Sequence, residues 1–216
     1  MSSLRRIGAG RARALLAALV LDLVLFTGLL AAEGPRAASA YGRPGGRQFA
    51  GTSLFVLTSL IPEVPSLFAV LDYGYELSDT DVLLLGADLW RYASPMGNPW
   101  APGPSYPGSV LSSGLIVGYQ RFSVKGLYAS VMLNPLILDY SDEAGGNLGL
   151  GFQLLGSVRL GYHFEFPLLG RRFYLEPAAE FSWWPVNLGV PPSFAEIEAR
   201  YPNFVPAPGL NFGLYL

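Results

Sequence analysis

His163 is the only histidine among 216 residues, and it stands in the run Tyr162-His163-Phe164-Glu165-Phe166. An imidazole beside carboxylates is the ordinary equipment of a general base. Four residues before it is Arg159, and beyond the next turn signal come Glu176 and Glu180. A guanidinium can bridge two carboxylates through charge-assisted hydrogen bonds. Asp72, Glu76 and Asp88 supply further acid from other segments. These residues could carry acid–base chemistry, or they could neutralise one another in an interior. A hydrolytic histidine also needs a nucleophile. No serine adjoins His163, and Ser157 and Ser182 could reach it only through folding. A metal centre on one histidine, with cysteine absent, lacks a ligand set. The run "DYSDEAGGN" offers Asp139, Asp142, Glu143 and Asn147 as oxygen ligands, but the spacing fits no calcium loop and reads as a solvated acidic loop. There is no Gly-Lys-Ser/Thr phosphate loop. The expected set is therefore an interior polar cluster of Arg159, Glu176, Glu180, Asp72, Glu76, Asp88 and His163, with no cofactor, no metal and no catalytic assignment.

The elements that position these residues have period two. In "LGLGFQLLGSVRLGYHFEF", Leu148 to Phe166, every second residue from Leu148 is apolar or Gly. The alternate row is small or polar and carries Arg159, His163 and Glu165. Eight such segments, separated by Gly, Pro, Asn and Asp, fall near 51–60, 67–77, 81–92, 109–122, 125–138, 148–166, 171–184 and 208–216. Connections after the second, fourth and sixth are short. Those after the others are mostly longer, with two long ones at 93–108 and 185–207. Folding segments six and seven about Leu168-Leu169 puts Arg159 between Glu176 and Glu180. Pro135 fits at a strand end, and Pro177, in mid-strand, predicts a bulge. Ser193-Phe194-Ala195-Glu196 reads as a capping box opening a short helix, with Phe194, Ile197 and Tyr201 on one face. The loop at 93–108 holds Pro95, Pro99, Pro102, Pro104 and Pro107 with Trp100 and Tyr106, and should be stiff.

Arg5, Arg6, Arg11 and Arg13 precede an apolar run, Ala14 to Ala32, and Ala38-Ser39-Ala40 fits a small-residue cleavage site. Residues 1–40 thus read as a signal peptide and 41–50 as a periplasmic segment before a barrel at 51–216. Without 1–40 the chain keeps nine basic and fourteen acidic residues and no basic stripe, which argues against nucleic acid as partner. Charged residues make up only 14% of the chain and mean hydropathy is +0.35, too little charge to coat a soluble surface. The apolar row therefore faces lipid and the polar row a narrow lumen. Trp90, Tyr92, Tyr140, Trp183 and Trp184 fall near the loop ends. Tyr73, Tyr75, Tyr119, Phe166, Phe173 and Tyr215 fall near the turns, where membrane-interface girdles are expected. Arg121, Lys125, Arg171, Arg172, Arg43 and Arg47 gather on the turn side.

The alternation, the loop asymmetry and the closing "GLNFGLYL" resemble the small eight-stranded bacterial outer-membrane barrels of the OmpA transmembrane-domain and OmpX type. The resemblance is architectural and covers about 51–216. It implies an all-β, eight-stranded antiparallel up-and-down transmembrane barrel in an outer membrane, with membrane lipids as partners and a filled lumen. Members end on an aromatic residue, whereas this chain ends on Leu216. The expected role is structural or one of surface interaction through the long loops. Two other readings stay open. A lipid-modifying enzyme would turn His163 to the lipid side with a serine in reach. A secreted, lipocalin-like barrel would hold its apolar row inside, around an open cavity.

Overall fold

The computed structural model describes residues 47–60, 67–94, 103–123, 126–200 and 204–216, without the side chains of Thr58, Leu60 and Phe204. The expected signal peptide at 1–40, Arg43, Lys125, Tyr201 and the 95–102 part of the proline-rich loop lie outside it. Among the described residues nine strands form: β1 (Gln48–Ser53), β2 (Leu67–Glu76), β3 (Asp81–Ala93), β4 (Gly108–Phe122), β5 (Leu127–Asp142), β6 (Asn147–Tyr162), β7 (Phe164–Leu168), β8 (Arg171–Leu188) and β9 (Phe204–Tyr215). Neighbours in chain order pair antiparallel, except β6 with β7. β1 also pairs with β9, and β6 and β7 both pair with β8, so the sheet closes. β6 and β7 are one barrel strand interrupted at His163, which makes an eight-stranded barrel. Closure leaves no open edge along most of the wall.

The inside–outside phase follows the sequence. Along β5, Tyr128, Ser130, Met132, Asn134, Leu136, Leu138 and Tyr140 are buried, while Leu127, Val131, Leu133 and Ile137 are exposed. β4 turns Ser112, Gln120 and Phe122 inward and Leu111, Leu115, Val117 and Tyr119 outward. Leu160 is 50% exposed, whereas His163 three residues on is 3% exposed. The outer surface is thus a broad band of leucine, valine and isoleucine. Of the aromatic residues assigned to a loop-end girdle, Trp183 alone keeps to the outer row. Trp90, Tyr92, Tyr140 and Trp184 fall on inward positions and pack in the interior. At the turn end Tyr75, Tyr119 and Phe166 are exposed, and Tyr215 is buried.

Both mid-strand prolines are accommodated without bulges. Pro135 lies within β5, not at its end, and pairs with Leu154 on β6. Its β4 side lapses between Gly114↔Leu136 and Val117↔Leu133, with the register unchanged. At Pro177 the same occurs. The His163 N–H donates to Gly126 O on the β5 side, so the peptide groups of Tyr162 face Pro177, which has no N–H to give. The ladder lapses after Gly161↔Ala178 and resumes in the same register at Phe164↔Leu175. That lapse is what divides β6 from β7. The bulge in β8 lies at Trp184-Pro185, opposite Leu154–Gly156.

The first strand departs from expectation. It starts at Gln48 and ends at Ser53, and Leu54–Leu60 forms a 3₁₀ turn rather than more strand. β2 runs from Leu67 and β9 from Phe204, so β1 spans only part of the wall between them. The 3₁₀ turn packs against both strands and fills the remainder. Side chains replace the ladder there. Ser59 Oγ donates to Phe68 O at 3.0 Å and accepts from Phe68 N at 2.7 Å, and Thr52 Oγ1 donates to Val70 O at 2.6 Å. Carrying the alternation through the registers points the ring nitrogens of Pro206 and Pro208 into this same seam. Neither has an N–H to leave unpaired.

Candidate functional site

The lumen is divided along its axis. At the turn end Phe49, Val82, Leu84, Phe122, Tyr128, Met132, Tyr174 and Tyr215 pack into one cluster with His163 inside it. The imidazole stacks on Tyr174 at 4.9 Å between centroids. Its Nδ1 lies 2.6 Å from Glu176 Oε1 and its Nε2 2.9 Å from Tyr215 Oη. The Tyr215 hydroxyl also reaches Glu165 Oε1 at 3.0 Å. Arg47 spans Glu76 and Glu165 at 3.5 and 3.3 Å and lies 3.9 Å over the Tyr215 ring. Arg172 reaches Glu165 at 3.3 Å. Three acids, two arginines, a histidine and a tyrosine thus close the barrel bottom. Aromatic rings that exclude water strengthen the bonds of the buried His163 and Glu176.

One level up, Arg159 pairs with Glu180, its Nε and Nη2 each 3.0 Å from Oε2. The expected Glu176–Arg159–Glu180 bridge does not form. The turn is made by Leu169-Gly170, both at positive φ, and not by Leu168-Leu169. Moving a hairpin turn by one residue moves every cross-strand partner by two. Arg159 therefore lies directly opposite Glu180, leaving Glu176 to His163.

Arg159 and Glu180 form the floor of a chamber of about 540 Å³, which also holds Asp72, Asp88 and Asn134. The lumen is thus filled at the turn end and hollow above it. Asn134 Nδ2 donates to Asp88 Oδ2 at 2.5 Å, both side chains being buried. Aromatic residues Phe68, Trp90, Tyr92 and Trp184 make much of the wall.

The loop end is covered by a short helix, α1 (Pro192–Glu198). Its cap is Pro191, whose carbonyl accepts from Phe194 N and Ala195 N, and no side chain caps it, so the expected capping box does not form. Phe194 and Ile197 are buried among Tyr106, Val110, Leu136 and Tyr140. Glu198 borders the chamber. Burial raises its carboxyl above the usual range, and a hydrogen bond with Asn187 pulls it back. The acidic loop after β5 is four residues long and internally bonded, Asp142 Oδ1 accepting from Gly146 N and Asp139 Oδ1 from Asn147 Nδ2.

All seven candidate residues lie on inward rows, at two levels: Glu76, Glu176 and His163 in the plug, and Asp72, Asp88, Arg159 and Glu180 in the chamber. Ser157 and Ser182 line the chamber, a level above the imidazole. Arg47, expected only as a basic residue of the turn side, Tyr215, expected in an interface girdle, and Asn134, not expected at all, complete the site. Tyr215 shares the row of Asn211 and Gly213, a signal that its aromatic character concealed. Comparison with family models, curated proteins and solved structures returns no match for this chain.

Proposed function

We propose that the chain is an integral outer-membrane β-barrel with a structural or surface-interaction role, closed to through-flow and acting through the loops that follow β3 and β8. The observation that carries this reading is the inverted polarity of the wall. Leu115, Val117, Val131, Leu133, Ile137 and Leu160 stand exposed on the outside. Arg159, Glu176, Glu180 and His163 stand inside. A contiguous apolar band of this extent on a monomer marks a surface that meets lipid or a partner, and an antiparallel closed wall satisfies its own backbone in lipid. The outward aromatics Tyr75, Tyr119 and Phe166 at the turn end suit the headgroup boundary. The plug around His163 favours a closed pore, since eight strands leave room only for side chains where these are large. A deacylase-type reading would need the imidazole beside a serine, and here its two nitrogens meet Glu176 and Tyr215.

Two measurements test this. After alkaline carbonate washing, the protein is expected to stay with membranes and to require detergent for release. In planar bilayers it should give no stable conductance. Release by carbonate alone would overturn the membrane placement, and steady ion conduction would overturn the plug.

A further inference from the structure

We infer that the 3₁₀ turn Leu54–Leu60 is the leaf of a side door, which opens the chamber to the acyl layer through the seam between β2 and β9. The inference rests on the membrane placement proposed above only for what lies outside the door.

The backbone of the wall is built differently at this seam. β1 finds its last partners at Asp72 on β2 and Asn211 on β9. Among the described residues, 67–71 of β2 and 204–210 of β9 therefore have no strand beside them on that side. Elsewhere a proline costs one rung, as at Pro135 and Pro177, and the ladder resumes beyond it. Here Pro206 and Pro208 turn their ring nitrogens to the seam one after the other, so no strand could build an unbroken ladder on this part of β9. A barrel in lipid otherwise commits its backbone groups to neighbouring strands. This stretch cannot be sealed that way. What holds the leaf is small and local. Ser59 Oγ accepts from Phe68 N at 2.7 Å and donates to Phe68 O at 3.0 Å. The Phe55 ring meets Phe68 edge-on at 6.2 Å between centroids. At the root of the leaf, Ser53 Oγ accepts from Phe55 N at 3.3 Å. A 3₁₀ run has poorer hydrogen-bond geometry than a longer helix, and local openings are drawn from the most weakly paired elements.

The chamber lies directly behind the leaf. Phe55 lines it and is 48% exposed, so one side chain of the leaf borders both the chamber and the outer surface. Leu57 stands 52% exposed beside it. Phe68, Val205 and Pro208, from the two flanking strands, line the chamber behind. Phe68 meets Trp90 at 5.5 Å between ring centroids, deeper in the wall. The passage is thus apolar from the outer surface inward. The two ends of the lumen are occupied by side chains, those of the His163 plug at the turns and Phe194 and Ile197 of α1 at the loops. An apolar passage facing lipid admits uncharged, apolar solutes and holds back ions, because taking a charge out of water is costly.

The chain has no cysteine, so a thiol placed in the chamber records brief openings by accumulating label. Ser182→Cys puts one on the chamber wall, opposite Val205 of β9. The full chain, refolded in phosphatidylcholine vesicles, is reacted with N-hexylmaleimide and separately with a sulfonated maleimide. Val131→Cys, on the outer row, corrects for the amount of each reagent in the lipid. The hexyl reagent is expected to label Ser182→Cys at least ~10-fold faster than the sulfonated one. Adding Ser59→Ala, which removes both leaf contacts, should speed that reaction ~3-fold or more and leave labelling of Val131→Cys unchanged. Folding of each variant is checked by its heat-dependent gel mobility. If Ser59→Ala does not fold, the two reagents compared on Ser182→Cys alone decide the matter. Equal rates for the two reagents, a faster sulfonated reagent, or a rate indifferent to Ser59→Ala would overturn the inference. So would a chamber thiol that neither reagent reaches while the urea-unfolded chain is fully labelled. A Val131→Cys thiol reached faster by the sulfonated reagent would instead overturn the membrane placement.

Discussion

Leu133→Arg is expected to destabilise the folded barrel by about 2–4 kcal/mol in a bilayer, the penalty for a cation on the lipid face near the midplane. Leu133 lies in mid-β5, opposite Val117 and Gly156, and is 50% exposed. On a water-facing wall the same exchange would be close to neutral, within about 0.5 kcal/mol. The two solvents thus give opposite results for one substitution. Leu169→Arg is the control. Leu169 is the most exposed of the large apolar residues among those described, at 90%, but it sits at the tip of the β7–β8 turn, where headgroups and water can take a charge. It should change stability little. Urea titration in vesicles, read by gel mobility, measures both.

Arg159→Met is expected to destabilise the barrel by about 3–5 kcal/mol, because it removes one partner of a buried ion pair. The arginine side chain is 12% exposed, and its loss strands the Glu180 carboxylate in a chamber that already holds Asp72 and Asp88. Adding Glu180→Leu should recover most of the loss, since removing both charges leaves no orphan. A double-mutant cycle separates the two glutamates. Coupling of Arg159 to Glu180 should be about 1 kcal/mol or more, and coupling to Glu176 within about 0.5 kcal/mol. Equal coupling to both would mean that the three-membered bridge forms after all. The hairpin register would then have to be two residues off.

Much of this architecture is legible in the sequence because strand alternation has a period of two and cannot drift. Once Leu160 is placed outside, Arg159 and His163 are inside. What alternation does not supply is register, which depends on turn chemistry. Reading the turn at Leu168-Leu169 sets Arg159 between two glutamates. The positive φ of Leu169 and Gly170 moves it opposite Glu180. Alternation is also silent for unbroken apolar runs. Leu54–Leu60, LFVLTSL, looks as much like strand as any segment here and instead forms a 3₁₀ turn. The prolines mislead in the other direction. A missing N–H suggests a strand end or a bulge, yet Pro135 and Pro177 each drop one rung and keep the pairing. At the site, Arg47 is read only as one of the basic residues on the turn side, because it precedes the first expected strand and so has no row that would place it in the plug. Trp90 and Trp184 escape because aromatic character suggested an interface where row position put them in the chamber wall.

The central claim is that the greasy row of this wall touches acyl chains. The chain has no native cysteine, so single spin labels can be walked along β5 from Leu127 to Leu138 in lipid vesicles. Collision with oxygen, which concentrates in hydrocarbon, should be high at 127, 131, 133 and 137. At 128, 130, 132 and 134 it should be low, giving a period of two that follows the exposed and buried rows. The opposite phase, or high collision with a water-soluble nickel complex at 131 and 133, would contradict the account.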